Sequence, residues 1–525
     1  MLALNEKGLQ NRAEWERKGY QLPAYDRSAM IEKTRSAPAW IHFGAGNIFR
    51  AFQCNAVQRM LNDGHMNTGI IAVEGFDYEI VEKGYRGNDN YTLLVTLKAD
   101  GSVEKTVIGS IAESCILDRE NAVEYGRLAE IFTNPSLQMA SFTITEKGYA
   151  ITPAVEADFA NGPQKPQSYI GKVASLLYAR YQAGGAPIAM VSMDNCSHNG
   201  DKLKAAITAF AEGWKDEGFL AYVSGGKVSF PWTMIDKITP RPDASVEAML
   251  RKDGLEGLEP IVTSRHTYIA PFVNAEESEY LVIEDDFPNG RPALEKAGFI
   301  FTDRDTVNKV ERMKVCTCLN PLHTALAVTG CLLGYTRISD EMKDADLVAL
   351  IHRIGYAEGL PVVTDPGVIK PREFIDTVVN VRLPNPFMPD TPQRIACDTS
   401  QKIPIRFGET VKCYLADPAR DVSSLEAIPL AMAAWLRYLL GVDDQGNPME
   451  VSPDPLLPQL QEALAGIALG DPASAEGKLD ALLGRADLFG VSLIEAGLDG
   501  KVKAFFAEML TGPGAVRNAL HNHLA

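Results

Sequence analysis

The chain has 525 residues, of which 46% are hydrophobic and 23% are charged. This length exceeds what one hydrophobic core usually supports, so we expect two or three domains of an ordinary globular protein. With 51 basic against 68 acidic residues, the net charge is −17 at pH 7. Such a surface repels nucleic acid and anionic membranes, so an anionic ligand requires a local cluster of Arg and Lys.

The sequence does not favour a secreted or a membrane-spanning protein. Residues 1–21 are polar and charged and predict no signal peptide, while the apolar stretches Thr324–Tyr335 and Ala427–Val442 are too short or too interrupted to predict a membrane span. The eight cysteines have no regular spacing, and Cys316 and Cys318 have no second Cys or His pair at zinc spacing. We therefore expect reduced thiols, no metal site and a cytoplasmic location.

Between residue 39 and about residue 200, short apolar runs alternate with longer amphipathic runs. Strands separated by helices predict an α/β domain with a mostly parallel, doubly wound sheet. The clearest helix is Ser168–Gln182, and Tyr91–Leu97 is expected to form a hairpin with Val103–Ile108. The other predicted strands are Trp40–Phe43, Gly69–Val73, Thr106–Ile111, Met139–Ile144 and Pro187–Met193.

Beyond the Pro- and Gly-rich passage at residues 287–292, the pattern turns helical. We predict a nucleotide-binding domain over residues 1–300 and a mostly α-helical substrate domain over residues 301–525. The predicted helices of the second part are Val307–Lys314, Leu322–Leu333, Ser339–Gly359, Pro371–Asn380, Leu425–Leu440, Leu457–Leu464 and Gly477–Leu483.

The most informative motif is an apolar run that ends in Gly44-Ala45-Gly46 and passes directly into a helical pattern. A strand, a glycine turn and a helix in this order present backbone N–H groups and a positive dipole end, where a dinucleotide pyrophosphate can bind. Gly44 allows the tight turn, and Gly46 lets the backbone approach the phosphates. Phe49 replaces the third glycine of the usual fingerprint, so an ordinary strand–helix turn stays an alternative.

Polar residues also follow three later strands. Glu74 ends the second strand, where an acid can accept hydrogen bonds from ribose hydroxyls and repel a 2′-phosphate, which favours NAD over NADP. An exposed loop acid is the alternative. Thr143–Tyr149 and Met193–Gly200 follow two further strands, at the edge where open sheets bind ligands, although Asn199 and Gly200 also fit a simple turn.

In the second half, Lys314, Asn320 and His323 lie within ten residues of an otherwise apolar segment. Asn320 and the proline after it also fit a helix start, which leaves the lysine and the histidine unexplained. A lysine partly removed from water has a lowered pKa and can act as a base near neutrality. Arg394 and Lys402 supply the positive charge that an anionic substrate requires, with a solvated loop as the alternative.

Taken in order, these segments resemble the polyol-specific long-chain dehydrogenases, the mannitol dehydrogenase family. Its glycine turn followed by Arg-Ala is matched by Gly44, Gly46, Arg50 and Ala51. Further motifs of the family stand at Thr145–Tyr149, Asp194–Gly200, Asp236–Pro240, Val282–Pro292, Ser400–Pro404 and Gly441–Asn447. The last two resemble the fructuronate reductase (D-mannonate oxidoreductase) branch of the family.

The resemblance implies a Rossmann-like domain before a helical domain, and a metal-independent transfer of hydride between NAD and a small sugar acid or polyol. The branch implies D-fructuronate and D-mannonate in cytoplasmic hexuronate metabolism, with no nucleic-acid or membrane partner. Tagaturonate reduction and mannitol 2-dehydrogenation are the alternatives, and a catalytically inactive NAD sensor is an alternative of another class. Tyr280-Leu281 replaces the family's Gln-Trp, which leaves the exact substrate open.

The resemblance also implies roles for individual residues. The catalytic residues are expected to be Lys314 as general base, Asn195 and Asn320 as donors to the carbonyl oxygen, His323 as an orienting residue and Glu311 as a proton relay. The substrate is expected to contact Arg394, Lys402 and Asp236. The cofactor is expected to contact Gly44, Gly46, Asn47, Ile48, Arg50, Glu74, Thr145, Glu146 and Asp194.

One spacing differs from the family. Four residues usually separate its Lys from its Asn, whereas five separate Lys314 from Asn320. An extra residue rotates a side chain by ~100° on an unbroken α-helix. Because Pro321 cannot donate to the carbonyl of Thr317, the helix is expected to be interrupted there. We predict a one-residue bulge that restores the direction of Lys314.

Overall fold

The computed structural model describes residues 2–524. It divides the chain into two compact units, Met1–Asn308 and Lys309–Ala525. All strands assigned within residues 2–524 lie in the first unit, and the second unit is built from helices. The predicted fold class, a Rossmann-like α/β domain followed by a mostly helical domain, is confirmed.

The strands are short, and most of them lie in the first 240 residues. They are β1 Tyr20–Gln21, β2 Trp40–Phe43, β3 Ile70–Glu74, β4 Thr92–Leu97, β5 Val103–Ile108, β6 Ile111–Ile116, β7 Met139–Phe142, β8 Ile188–Ser192, β9 Val228–Ser229, β10 Thr233–Asp236, β11 Ile261–Val262, β12 Tyr268–Ile269, β13 Phe272–Glu276, β14 Tyr280–Glu284 and β15 Ile300–Thr302.

Six strands form one parallel sheet in the order β6-β3-β2-β7-β8-β9. Its central strands are buried along their whole length, because helices cover both faces. Trp40 belongs to the hydrophobic cluster on one face, and Ile41 and Phe43 belong to the cluster on the other. The strand order reverses between β2 and β7, so a topological switch point, where such sheets bind ligands, lies beside Gly44.

The predicted strand Thr106–Ile111 is wrong, because the chain turns within it. Val103–Ile108 pairs antiparallel with Thr92–Leu97, as the predicted hairpin, whereas the main sheet uses Ile111–Ile116. The turn contains Gly109, where a Cβ would lie 2.9 Å from a ring carbon of Tyr91. The hairpin belongs to a second sheet, β1-β5-β4-β13, and two smaller sheets are β10-β14-β15 and β11-β12.

Ten α-helices lie between residues 2 and 300. They are α1 Glu6–Leu9, α2 Arg12–Arg17, α3 Arg27–Ser36, α4 Cys54–Asn62, α5 Ala122–Thr133, α6 Pro153–Glu156, α7 Tyr169–Gln182, α8 Asn199–Gly213, α9 Glu217–Ser224 and α10 Ala244–Lys252. The helix predicted at 168–182 is confirmed as α7, and Ser168 caps it by accepting from the N–H of Gly171.

The remaining helices begin with α11, in which the two units divide. They are α11 Arg304–Met313, α12 Asn320–Leu332, α13 Ile338–Glu341, α14 Ala345–His352, α15 Pro371–Thr377, α16 Pro392–Ile395, α17 Thr399–Arg406, α18 Gly408–Ala416, α19 Ala427–Tyr438, α20 Leu457–Ala463, α21 Asp480–Leu483, α22 Ala486–Phe489, α23 Asp499–Met509 and α24 Ala515–Leu524. The single helix predicted over 339–359 is wrong, because Asp344 caps a new helix there by accepting from two backbone N–H groups.

Several helical segments are wider or tighter than an α-helix. The π-helical segments are Phe49–Gln53, Ile80–Tyr85, Lys314–Cys318, Arg353–Gly359 and Val378–Arg382. The 3₁₀ segments are Arg86–Asn88, Glu146–Tyr149, Ala157–Asn161, Leu294–Ala297, Leu360–Val362, Val422–Ser424 and Pro472–Ala475. Because π-helices are rare and frequent at functional sites, those next to predicted site residues are of interest.

The helical run Arg304–Leu332 is long and apolar enough, by length and composition, to cross a membrane. It is longer than the apolar stretch recognised in the sequence because α11 and α12 are joined through the π-helical segment. However, 78% of its most apolar window is buried inside the protein, as in the core helix of a globular domain.

Candidate active site

The glycine turn has the conformation that its sequence predicts. Gly44 has a φ of +105°, and a Cβ there would lie 2.2 Å from the carbonyl oxygen of Thr143, so only glycine fits. At Gly46 an added Cβ would meet no atom within 4 Å, which leaves the backbone open to a ligand. Phe49, at the position of the missing third glycine, is buried and stacks on His42 with ring centroids 4.3 Å apart.

The helix after the turn starts at Asn47 and Ile48 and widens at once into a π-helical segment. Arg50 is buried, at 1% exposure, and donates to the carbonyl of Ala270 at 2.6 Å and to Asn47 at 2.8 Å. Its guanidinium therefore ties the turn to the β12–β13 connection from inside the protein. These contacts place Arg50 inside the protein, directly behind Asn47.

Glu74 lies at the carboxyl end of β3 and is buried, so the alternative of an exposed loop acid is wrong. Its carboxylate accepts from the N–H groups of Ala45 at 3.2 Å, Gly75 at 2.9 Å and Phe76 at 2.7 Å. Burial raises the pKa of Glu74, and these backbone hydrogen bonds oppose that shift. Glu74 thus holds the glycine turn and the following loop together.

Asp194 connects the loops that follow β7 and β8. It accepts from the N–H groups of Ile144 at 3.1 Å and Thr145 at 2.8 Å, and from the hydroxyl of Tyr149. Burial raises the pKa of Asp194, and its hydrogen bonds oppose the shift. Thr145 has a φ of +65°, a strained conformation for a β-branched residue and one typical of ligand-binding loops. Asn195, next to Asp194, is exposed.

Other predicted residues of the first unit lie around these loops. Asn199 is the first residue of α8, and its side chain exchanges hydrogen bonds with the backbone of Thr233, so it does more than form a turn. Glu146 forms an ion pair with Lys202 at 2.7 Å. Asp236 is buried at the end of β10, in a different sheet from the glycine turn.

In the second unit, the predicted bulge is confirmed and begins at Lys314. Lys314–Cys318 is π-helical, and the N–H of Leu319 donates to the carbonyl of Lys314 at 3.1 Å across five residues. A regular α-helix then starts at Asn320. Because a π-turn holds one more residue than an α-turn, it absorbs the extra residue between Lys314 and Asn320. The side chain of Lys314 is buried at 4% exposure, and Glu311 lies one helical turn before it.

His323 lies one turn into α12 and faces an acid that the sequence reasoning missed. Its Nε2 is 3.5 Å from a carboxylate oxygen of Asp390, and the other oxygen of Asp390 pairs with Arg394. Burial lowers the pKa of His323, which keeps the ring neutral at pH 7. The ammonium of Lys402 donates to the carbonyls of Ile395 and Cys397, and burial lowers its pKa.

Within residues 2–524, no three His, Cys, Asp or Glu side chains form a group that could hold a metal ion. The eight cysteines are free thiols.

Two family models match the chain in the same order as its two units. The mannitol dehydrogenase Rossmann domain matches residues 38–296, and the mannitol dehydrogenase C-terminal domain matches residues 306–506. D-mannonate oxidoreductase from Thermotoga maritima is 50% identical, over 99% of this chain and 98% of that protein. The chain belongs to the mannitol dehydrogenase family.

Solved structures of similar proteins extend over nearly the whole chain. Mannitol 2-dehydrogenase from Pseudomonas fluorescens, a ternary complex with NAD and D-mannitol, is 27% identical with a TM-score of 0.70 and covers 99% of both chains. A substrate-free D-sorbitol dehydrogenase is 26% identical with a TM-score of 0.74, over 93% of this chain and 97% of that one. The mannitol dehydrogenase family therefore accounts for both units.

The sequence reasoning also missed two residues beside the family motifs. Phe76 is 61% exposed, two residues after Glu74, and the guanidinium of Arg265 lies 4.7 Å from its ring centre. Arg406 donates to the hydroxyl of Thr324 at 2.6 Å, next to His323 on α12. Arg406 lies four residues after Lys402 on α17, a helix that was not among the predicted ones, so no signal in the sequence identified it.

Proposed function

We propose that this protein is an NAD-dependent oxidoreductase that transfers hydride between NAD(H) and a sugar acid, with D-fructuronate and D-mannonate as its substrate pair. The observation that carries the choice of substrate is the 50% identity, over almost the full length, to the Thermotoga maritima D-mannonate oxidoreductase. The substrate would be a small molecule, and the reaction would belong to cytoplasmic hexuronate metabolism.

The residues of the first unit fit a dinucleotide. The open backbone at Gly46 and the first helical residues, Asn47 and Ile48, would receive the pyrophosphate at the switch point of the sheet. The negative charge of Glu74 beside the turn would repel a 2′-phosphate, which favours NAD over NADP. Thr145 and Asp194 would shape the loop that receives the nicotinamide half. When bound, NADH supplies the hydride and NAD accepts it.

The second unit would supply the acid–base chemistry. In the direction of reduction, the ammonium of Lys314 would give its proton to the carbonyl oxygen of the substrate, and in oxidation the neutral amine would remove the hydroxyl proton. Glu311, one turn away, would exchange that proton with solvent. The side-chain amide of Asn320 would donate a hydrogen bond to the same oxygen, where negative charge develops during reduction. His323 would orient the substrate as a neutral ring.

Initial rates of NADH oxidation test the substrate assignment. We expect D-fructuronate to give the highest kcat/KM in a panel with D-tagaturonate and D-fructose, and NADPH to be a poorer donor than NADH. A preference for D-tagaturonate or D-fructose would favour tagaturonate reductase or mannitol 2-dehydrogenase instead. Absence of turnover with D-fructuronate would contradict the proposal.

The Lys314→Ala variant separates a catalyst from an inactive NAD sensor. Because general acid–base catalysis typically contributes about 10²- to 10⁴-fold, kcat should fall by at least about a hundredfold. The Kd for NADH, measured by fluorescence titration, should stay within twofold. Lys412→Ala is the control, since Lys412 also lies in the second unit but is partly exposed and paired with Glu409. Equal turnover by wild type and Lys314→Ala would contradict the role of this lysine.

A further inference from the structure

Helix α17 carries two cations one turn apart, Lys402 and Arg406. Like charges at this spacing repel each other, and in a protein of net charge −17 such a pair needs a local reason. The position of Lys402 is explained by its hydrogen bonds, because its ammonium donates to the carbonyls of Ile395 and Cys397, just before α17. Arg406 takes no part in these hydrogen bonds.

Arg406 has no acidic partner. Its single hydrogen bond within residues 2–524 runs from Nη1 to the hydroxyl of Thr324, and no carboxylate of that part of the chain lies within 4.0 Å of its guanidinium. Thr324 is buried at 1% exposure. Burial alone lowers the pKa of Arg406 to about 10, so the group keeps its charge at pH 7 in a poorly hydrated position. A guanidinium has five N–H donors, which leaves most of them for a ligand.

The position of Arg406 places this charge beside a predicted substrate-orienting residue. Thr324 follows His323 on α12, and the charge of Arg406 contributes to the lowered pKa of His323. Arg394, the cation that the sequence assigns to the substrate, is already paired with Asp390 and is 66% exposed. Of these two arginines, Arg406 is therefore the one with binding capacity for an anion.

We propose that Arg406 binds the carboxylate of the sugar-acid substrate and thereby selects sugar acids over neutral polyols. This inference rests on the proposed function. The planar guanidinium can hold both carboxylate oxygens through parallel N–H donors, which a lysine cannot do with the same geometry. A neutral polyol leaves the charge of Arg406 without a partner, so the same residue that favours a sugar acid disfavours its uncharged analogue.

Steady-state kinetics and calorimetry on the full-length protein with cofactor test this role. In Arg406→Gln we expect the KM for D-fructuronate to rise by at least about a hundredfold, because a charge-assisted bidentate contact is lost. Arg406→Lys keeps the positive charge but loses the parallel N–H donors of the guanidinium, so the KM for D-fructuronate should rise less. In both variants kcat should change less than tenfold, and the Kd for NADH and the melting temperature should match wild type. Arg420→Gln is the matched control, because it removes one charge from the same unit at a site bonded to Asp417 and Pro361.

A KM for D-fructuronate within twofold of wild type in Arg406→Gln would overturn the proposal. Equal losses of D-fructuronate and NADH binding, or a lower melting temperature, would also overturn it by showing a purely structural role.

Binding of D-mannonate and D-mannitol with NAD, measured by calorimetry, separates this inference from the proposed function. If wild type turns over no sugar acid but Arg406→Gln loses D-mannonate binding and keeps D-mannitol binding, the proposed function fails and the role of Arg406 stands. If wild type does not bind D-mannonate, both fail.

Discussion

Three buried carboxyl groups differ in how their oxygens are satisfied. Glu74 and Asp194 accept several hydrogen bonds from loop N–H groups, which is the usual condition for burying a carboxylate. Glu341, at the end of α13, is completely buried, and both of its oxygens lack a hydrogen-bond partner within residues 2–524. Burial raises the pKa of Glu341 to about 9, with a smaller contribution from the charge of Asp344. Glu341 is therefore protonated at neutral pH, and it costs stability rather than supplying it.

The pH dependence of stability tests this state of Glu341. Between the unfolded pKa of 4.5 and the folded pKa of about 9, the unfolded chain has lost the proton that the folded protein keeps. Stability therefore falls as pH rises through this window. Glu341→Gln has no proton to lose, so its stability relative to wild type should grow with pH, reaching on the order of a few kcal/mol at pH 8.5.

Urea denaturation at pH 5.5 and pH 8.5 measures this effect. The exposed Glu373→Gln serves as the control, because the side chain of Glu373 is 69% exposed and forms a surface ion pair with Lys370. The same pH slope for wild type and Glu341→Gln would show that the folded protein does not hold this proton.

At the scale of elements, a helix interruption could be predicted where the sequence itself carried a signal for it. The bulge at Lys314–Cys318 could be predicted because a family spacing and Pro321 both indicated an interruption. Pro361 and Pro384 also follow the π-helical segments Arg353–Gly359 and Val378–Arg382, but no departure from a family spacing indicated an extra residue there, so these two segments were not predicted. The strand predicted at 106–111 failed for a related reason, because the close packing of Gly109 against Tyr91 is a tertiary contact.

The glycine turn between β2 and the following helix gives a functional prediction for an element. In Gly44→Ala, a Cβ would lie 2.2 Å from the carbonyl oxygen of Thr143, at a φ of +105°. The turn must therefore move, at a cost of about 2 kcal/mol or more, and its N–H groups leave the positions that bind the pyrophosphate. We expect the Kd for NADH, measured by fluorescence titration, to rise at least about tenfold. Gly126→Ala, at an exposed helical glycine whose Cβ would meet no atom within 4 Å, should bind NADH like wild type. Unchanged NADH affinity in Gly44→Ala would contradict the placement of the pyrophosphate.

At the scale of the whole molecule, the candidate-site residues that could be predicted are those that follow the strands of the parallel sheet. Gly44, Glu74, Thr145 and Asp194 could be predicted because each follows a recognisable strand of one parallel sheet, and such strand ends meet at one edge. Arg406 could not, because its relevance depends on α17 packing its last residue against Thr324 of α12. The sequence predicts α12 but not α17, and it cannot show which faces of the two helices touch.

The central claim is that this protein moves hydride between NAD(H) and a sugar acid, and isotope transfer tests it most directly. The full-length protein is incubated with D-fructuronate and NADH carrying deuterium at C4 of the nicotinamide, on one face at a time. For one of the two labelled cofactors, mass spectrometry should show D-mannonate with a single deuterium on the carbon that was the ketone. Unlabelled product with both cofactors, or no product while NADH binds, would contradict the claim.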